Sequence, residues 1–292
     1  LFLDGEADQL EPIQALGLFY EFSDLTPVGP NGDRIVRLLA GRLVHVDLLE
    51  QAAQLLQHQV DERLQGISRS QVAADLAAIY LMDHKPDRAL IAIGGSRQPN
   101  IPQTLQADRR ILEARALLDL GRLDAASELV ERDRSEEAQR VRAEAAWRGR
   151  DWERAAAELR TLLATRSRAG PLDEHARQIV LRTGVALTLA GDEAGVRALY
   201  REYAGDMAGT PDADAFEVVA AGVTADGAAI RDVARAVART DLLGRFMDRV
   251  RSRMTEQAAQ SAASNGAAPS APQPPAASVQ PPNTPQASGA GA

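Results

Sequence analysis

Residues 116–130 read ALLDLGRLDAASELV, and their pattern decides the fold. A small residue and two large ones precede a polar turn. An apolar residue, Leu123, follows, then Ala126 three residues later and Val130 four after that. That order is the signature of two short helices joined by a tight turn, with a small side chain where they touch. Four other windows fit the same template: RLVHVDLLEQAAQLL (42–56), AIYLMDHKPDRALIAI (78–93), AAWRGRDWERAAAEL (145–159) and ALTLAGDEAGVRALY (186–200). The small contact residue is Ala52, Ala89, Ala126, Ala155 and, degenerately, Val196, at spacings of 37, 37, 29 and 41 residues.

Composition agrees with a helical chain. Its 292 residues are 45% hydrophobic but only 4% aromatic. The core therefore rests on Ala, Leu and Val, and the first two are strong helix formers. An all-β sandwich needs more aromatic and β-branched residues. The net charge is −8, which argues against a nucleic-acid binder. Lys85 is the only lysine, so Arg supplies nearly all positive charge. With the high alanine content, this points to a GC-rich bacterial source. There is no cysteine, which removes thiol catalysis, disulfides and Cys-ligated zinc. No apolar run is long enough for a membrane-spanning helix. The opening LFLDGEAD carries no signal-peptide pattern, and residue 1 is expected to be an internal position of a longer protein.

Local signals place the helices. Ser135 followed by two glutamates marks a helix start, and Pro86-Asp87 marks another. Thr210-Pro211-Asp212 begins a third. One short helix is expected at 11–22, then a Pro/Gly loop, TPVGPNG, at 26–32. Residues 211–222 and 228–254 read as two further helices, a capping unit. In the second, Ile230, Val233, Val237, Leu242 and Phe246 form one apolar side, with Arg231, Arg235, Arg239 and Arg249 toward water. From Ala258 to Ala292 there is no charged or aromatic residue and there are seven prolines. Ordering such a segment costs about 1–2 kcal/mol per residue with no burial to offset it, so a disordered tail is expected.

The five windows resemble the tetratricopeptide repeat (TPR) family, whose unit of two helices carries small residues at the contact. Gly121, Leu123 and Ala126 stand where that family places its turn glycine, first large residue and contact alanine. Asp47 and His84 replace the glycine, the spacing is irregular, and the closing proline is mostly missing. More loosely, the chain looks like the C-terminal part of long TPR-containing proteins of alphaproteobacteria. The resemblance implies an all-α, right-handed solenoid of antiparallel helical hairpins. It divides the chain into an N-terminal helix and loop (1–32), TPR-like repeats (33–205), C-terminal capping helices (206–256) and the tail (257–292).

Catalytic signals are weak. His45, His58, His84 and His175 form no zinc-protease spacing. Gly94-Gly95-Ser96 lacks the remainder of a phosphate loop, and no serine-hydrolase elbow exists. We therefore expect no enzyme activity, no cofactor and no metal. Charge is uneven: residues 1–33 hold seven acids and no base, and residues 138–168 hold eight arginines, read as a solvated face. The family's geometry implies a concave surface lined by the first helix of each pair. It places Arg37, Asp75, Arg115, Glu144, Trp147, Arg148 and Arg182 there, with arginines gripping carboxylates of a protein or peptide partner and Trp147 adding apolar area. Trp152, at the position of Leu123, is read as core filler. The alternatives are a structural spacer, or an accessory module of an enzyme whose functional domain lies upstream. The flexible tail and lack of cysteine point to the bacterial envelope or periplasm.

Overall fold

The computed structural model describes residues 10–22, 29–165, 170–221, 227–239 and 241–266. These form α-helices and one π turn, with no strand among the described residues. The helices are α1 (Pro12–Glu21), α2 (Pro30–His45), α3 (Leu49–His58), α4 (Gly66–Met82), α5 (Pro86–Gly95), α6 (Gln103–Asp119), α7 (Leu123–Leu129), α8 (Glu136–Arg148), α9 (Trp152–Thr165), α10 (Glu174–Leu189), α11 (Glu193–Met207), α12 (Ala213–Ala220), α13 (Gly227–Ala238) and α14 (Gly244–Gly266). The π turn, Gln59–Arg63, extends α3. Residues 1–9 of the acidic start, 26–28 of the expected loop, Arg166 and Arg168, and 267–292 of the expected tail lie outside the described residues.

All five windows close with one backbone device. Asp47, His84, Gly121, Arg150 and Gly191 each have φ between 54° and 74°. The N–H after each donates to the carbonyl five residues back, at 2.9, 2.7, 2.8, 2.9 and 2.9 Å in chain order. The N–H of each positive-φ residue itself donates three residues back, from Asp47 to Val44, His84 to Leu81, Gly121 to Leu118, Arg150 to Trp147 and Gly191 to Thr188. Together the two bonds satisfy carbonyls that a helix end leaves open, a Schellman closure. Ala52, Ala89, Ala126 and Ala155 follow at one offset and are all 0% exposed. The alanine register therefore fixes the turn. In WRGRDW the left-handed residue is Arg150, and Gly149 keeps φ −76°.

A left-handed conformation costs an L-residue about 1–2 kcal/mol. Glycine removes that cost and gives back about 0.5–1 kcal/mol in backbone entropy. Arg150 is exposed. Arg150→Gly is therefore expected to stabilise the fold by about 0.5–1 kcal/mol, read as a higher urea midpoint. A lower midpoint would assign the Arg150 side chain a structural role.

Each helix from α2 to α11 packs on the next, and α4, α6 and α8 also pack in succession. Several expected starts are present. Ser135 Oγ accepts from Ala138 N at 3.3 Å, α5 starts at Pro86 and α12 follows Asp212; Asp173, not among the expected starts, caps α10 by accepting from Ala176 N at 2.8 Å. Gly94 and Gly95 end α5. Ser96 then bonds back to Ala92 O at 2.6 Å and receives Arg109 at 3.1 Å. Part of the arginine-rich middle is internal rather than solvated. Arg142, 6% exposed, donates to Val130 O and Asp133 O at 2.7 and 2.8 Å, closing the end of α7. Arg140, also 6% exposed, reaches Glu136, His175 and Leu242 O.

The C-terminal region departs from expectation in three ways. The helix expected over 228–254 is broken, because Asp241 accepts the Leu243 N–H at 3.0 Å and starts a new helix. The new helix, α14, runs on to Gly266, into the alanine-rich run expected to be tail. It also caps nothing: α12 and α13 pack on α10, whereas α14 returns to α2 and α4. Two apolar cores result. Leu243, Phe246, Val250 and Met254 join the core of α1 to α8, while Val237 and Leu242 join that of α8 to α13.

Candidate functional site

The site lies where α2, α4, α6, α8 and α10, the first members of the five pairs, meet the 241–254 segment. Residues 245–254 read RFMDRVRSRM, an arginine followed by an apolar residue every fourth position. That period puts the arginines on one side of α14 and the apolar residues on the adjoining side. Leu243, Phe246, Val250 and Met254 are 1, 4, 2 and 7% exposed.

Together the arginines meet acids from all five helix pairs. Arg245 bonds Asp173, the cap of α10, at 2.7 Å. Arg249 bonds Glu137 of α8 at 2.6 Å. Arg253 bonds Asp108 of α6 at 2.7 Å and approaches Asp75 of α4 at 3.7 Å. Arg251 donates to Val44 O at 3.0 Å and pairs with Asp47, in the turn after α2, at 3.3 Å. The face thus presents a ladder of acids to an arginine-bearing helix. These pairs are mostly half-exposed and each contributes about 0–1 kcal/mol. The buried apolar stripe supplies the larger driving force, and the ion pairs set register. The Arg245 hydrogen bond holds Asp173 below its ordinary pKa, against some burial. At Glu137 burial pushes upward, but Arg249, a backbone N–H and Arg140 together hold the carboxyl low.

Five of the seven residues expected at the site form one connected network. Arg115 bonds Asp119 at 3.0 Å and Asp241 at 2.8 Å. Asp119 meets Arg148 at 3.2 Å, Arg148 meets Glu144 at 2.7 Å, and Glu144 meets Arg182 at 2.9 Å. The Arg182 guanidinium lies 4.4 Å from the Trp147 ring centroid, a cation–π contact. Arg115, Glu144, Trp147, Arg148 and Arg182 are therefore brought together, but mostly toward one another. Arg182 is 0%, Glu144 7% and Trp147 8% exposed, so in this conformation they present almost no surface to a second molecule. Trp147 meets Trp152 edge-to-face at 5.4 Å and 81°. Of the two indoles, Trp147 is the more deeply buried, because Arg182 covers its face; Trp152 is partly buried.

Arg37 and Asp75 lie apart from that network. They line a cavity of about 530 Å³ with Arg34, Leu38, Asp108 and Arg253, beside the middle of α14. Burial raises the Asp75 pKa to about 6, with Arg253 and Arg37 opposing. A second cavity, about 680 Å³, lies at the other end of the ladder between α10, α12 and α13, lined in part by Asp173, His175, Asp212, Arg239 and Arg245. Burial, with Arg140 and Arg245 nearby, lowers His175 to about 4 and keeps it neutral at physiological pH. Among the described residues no group of three His, Asp or Glu side chains is arranged to hold a metal ion. Nor is any helix long and apolar enough to cross a membrane.

Asp108, Glu137, Asp173, Asp241 and the arginines of α14 were missed in the sequence reading. The signal for the arginines was the fourfold period of Arg245-Phe246, Arg249-Val250 and Arg253-Met254. Comparison with protein-family models, curated proteins and solved structures finds no match to this chain.

Proposed function

We propose that the chain is a non-catalytic protein–protein interaction module, a right-handed TPR-like solenoid whose concave face holds a helical segment. One observation carries this reading: α14 packs on α2 and α4 and sets arginines on acids that belong to all five helix pairs. The five identical turn closures support the repeat architecture, since stacked pairs leave an extended surface of this kind. The polarity is opposite to the expectation drawn from sequence, in which arginines of the groove grip acids. Here the acids are on the groove. The lack of cysteine still favours the bacterial envelope or periplasm as the working location. The contacts of α14 also fit a strap that stiffens a structural spacer, and the following test separates the two.

In the full chain carrying Phe246→Asp and Val250→Asp, α14 loses its apolar anchor. A labelled peptide of residues 241–266 is expected to bind this variant saturably by fluorescence anisotropy. Adding Asp108→Lys and Glu137→Lys is expected to weaken that binding at least tenfold, with far-UV circular dichroism unchanged. No peptide binding by a helical, monodisperse variant would leave only the strap.

A further inference from the structure

α14 does not fit its seat equally along its length. Its leading end is anchored. Both Asp241 oxygens receive Arg115 at 2.8 Å, Leu242 is 0% exposed, and Arg140 donates to Leu242 O at 3.3 Å. Around Arg253, midway along the helix, polar pairing is incomplete although Val250 and Met254 are buried. Arg253 Nη2 is buried without a hydrogen-bond acceptor, 3.7 Å from Asp75. Beside it the 530 Å³ cavity stands between α14 and the Arg34–Arg37 side of α2. Seating α14 here buries Asp75, a carboxylate that burial disfavours when charged. The ion pairs of this stretch, Arg251–Asp47 and Arg253–Asp108, involve side chains 30–73% exposed, and such pairs are individually weak.

We propose, building on the interaction-module reading, that α14 is a resident occupant that another helix replaces. The external ligand is an amphipathic helix of a separate protein, with arginines at four-residue intervals beside an apolar stripe. It enters from the α2–α4 end, where α14 peels away while Asp241–Leu243 stays anchored. The charge complementarity is specific, because Asp47, Asp75, Asp108, Glu137 and Asp173 form a row from separate pairs that no acidic or neutral helix satisfies. An occupied site lowers apparent affinity by the fraction of molecules that are open. The intact chain therefore selects ligands that fit better than α14 does.

The test uses the full chain and the 241–266 peptide as probe. Wild type is expected to bind the peptide about 100-fold more weakly than the Phe246→Asp/Val250→Asp chain, which corresponds to roughly 1% open molecules. Arg253→Glu in the chain, with the peptide unchanged, is expected to recover about tenfold. A peptide with Gln at 245, 249 and 253 is expected to bind at least tenfold more weakly. Equal affinity of wild type and the double variant would overturn the competition while leaving the interaction module standing. Absence of binding to both would remove the module itself. Equal binding of the Gln peptide would overturn the arginine requirement. A concentration-dependent dimer of wild type, dissolved by the peptide, would make a second copy the occupant in place of a separate protein. Native-state hydrogen exchange gives an independent reading: amides of 251–256 are expected to exchange faster than those of 245–249. The reverse gradient would overturn entry from the α2–α4 end.

Discussion

Glu144→Ala is expected to destabilise the fold by about 3–5 kcal/mol, the usual cost of removing one partner of a buried ion pair. Arg182 has no exposed surface, and the Glu144 carboxylate lies 2.9 Å from its Nη2. Burial already pulls the Arg182 guanidinium below its ordinary pKa, with Glu144 opposing. Without the carboxylate, the charge keeps the Trp147 face at 4.4 Å, but a cation–π contact contributes only about 0.5–2 kcal/mol. Arg148 is less affected, because it retains Leu118 O at 2.8 Å and Asp119 at 3.2 Å. Replacing the pair with apolar groups, Arg182→Met with Glu144→Leu, is expected to recover most of the loss. Urea unfolding of the two single variants and the double variant measures the coupling. A loss below about 1 kcal/mol for Glu144→Ala would mean that water or another acceptor reaches Arg182.

The second large effect depends on pH. Asp75 has a folded-state pKa of about 6 against an ordinary 3.8. Its folded value is the higher one, so its contribution to stability is complete below about 3.8 and is lost as pH rises through 6. The gap corresponds to about 3 kcal/mol at pH 7, at 1.36 kcal/mol for each pH unit. Asn at this position does not titrate. Asp75→Asn is therefore expected to gain on wild type between pH 4 and pH 7, by up to about 3 kcal/mol. The attraction of Arg253, 3.7 Å away, is already contained in the value of about 6, where burial outweighs it. Paired urea titrations at pH 4, 5, 6 and 7 check the slope. A stability difference that stays flat across that range would show that the Asp75 carboxylate is solvated and its pKa ordinary.

The repeat was legible because it is local. A contact alanine and the turn before it are five residues apart, and one spacing serves all five windows. Counting back five from Ala155 gives Arg150, not the neighbouring Gly149, as the left-handed residue. The break at Asp241 also had a local sign, an acid before Leu-Leu-Gly, but a continuous apolar side across 230–246 outweighed it. The tail boundary was drawn too early because Ala258–Gly266 lacks charge, and helix needs none where alanine is frequent. Register put Arg115, Glu144, Trp147, Arg148 and Arg182 on one expected face, and the structure joins these five mostly to one another. What register did not carry was their destination. Arg249 meets Glu137 across 112 residues of sequence, and Arg253 meets Asp108 across 145. No periodicity encodes pairing at that range, so the acids that meet α14 were invisible.

The division into two cores has a consequence for how the chain is made. The C-terminal core is assembled from residues that follow one another closely. The N-terminal core takes in Leu243, Phe246, Val250 and Met254, so it stays incomplete until α14 has left the ribosome. Arg251 closes on Val44 over 207 residues, a loop whose entropy must be overcome late. During synthesis the earliest helices therefore wait longest, with their apolar face open to chaperones and to neighbouring chains.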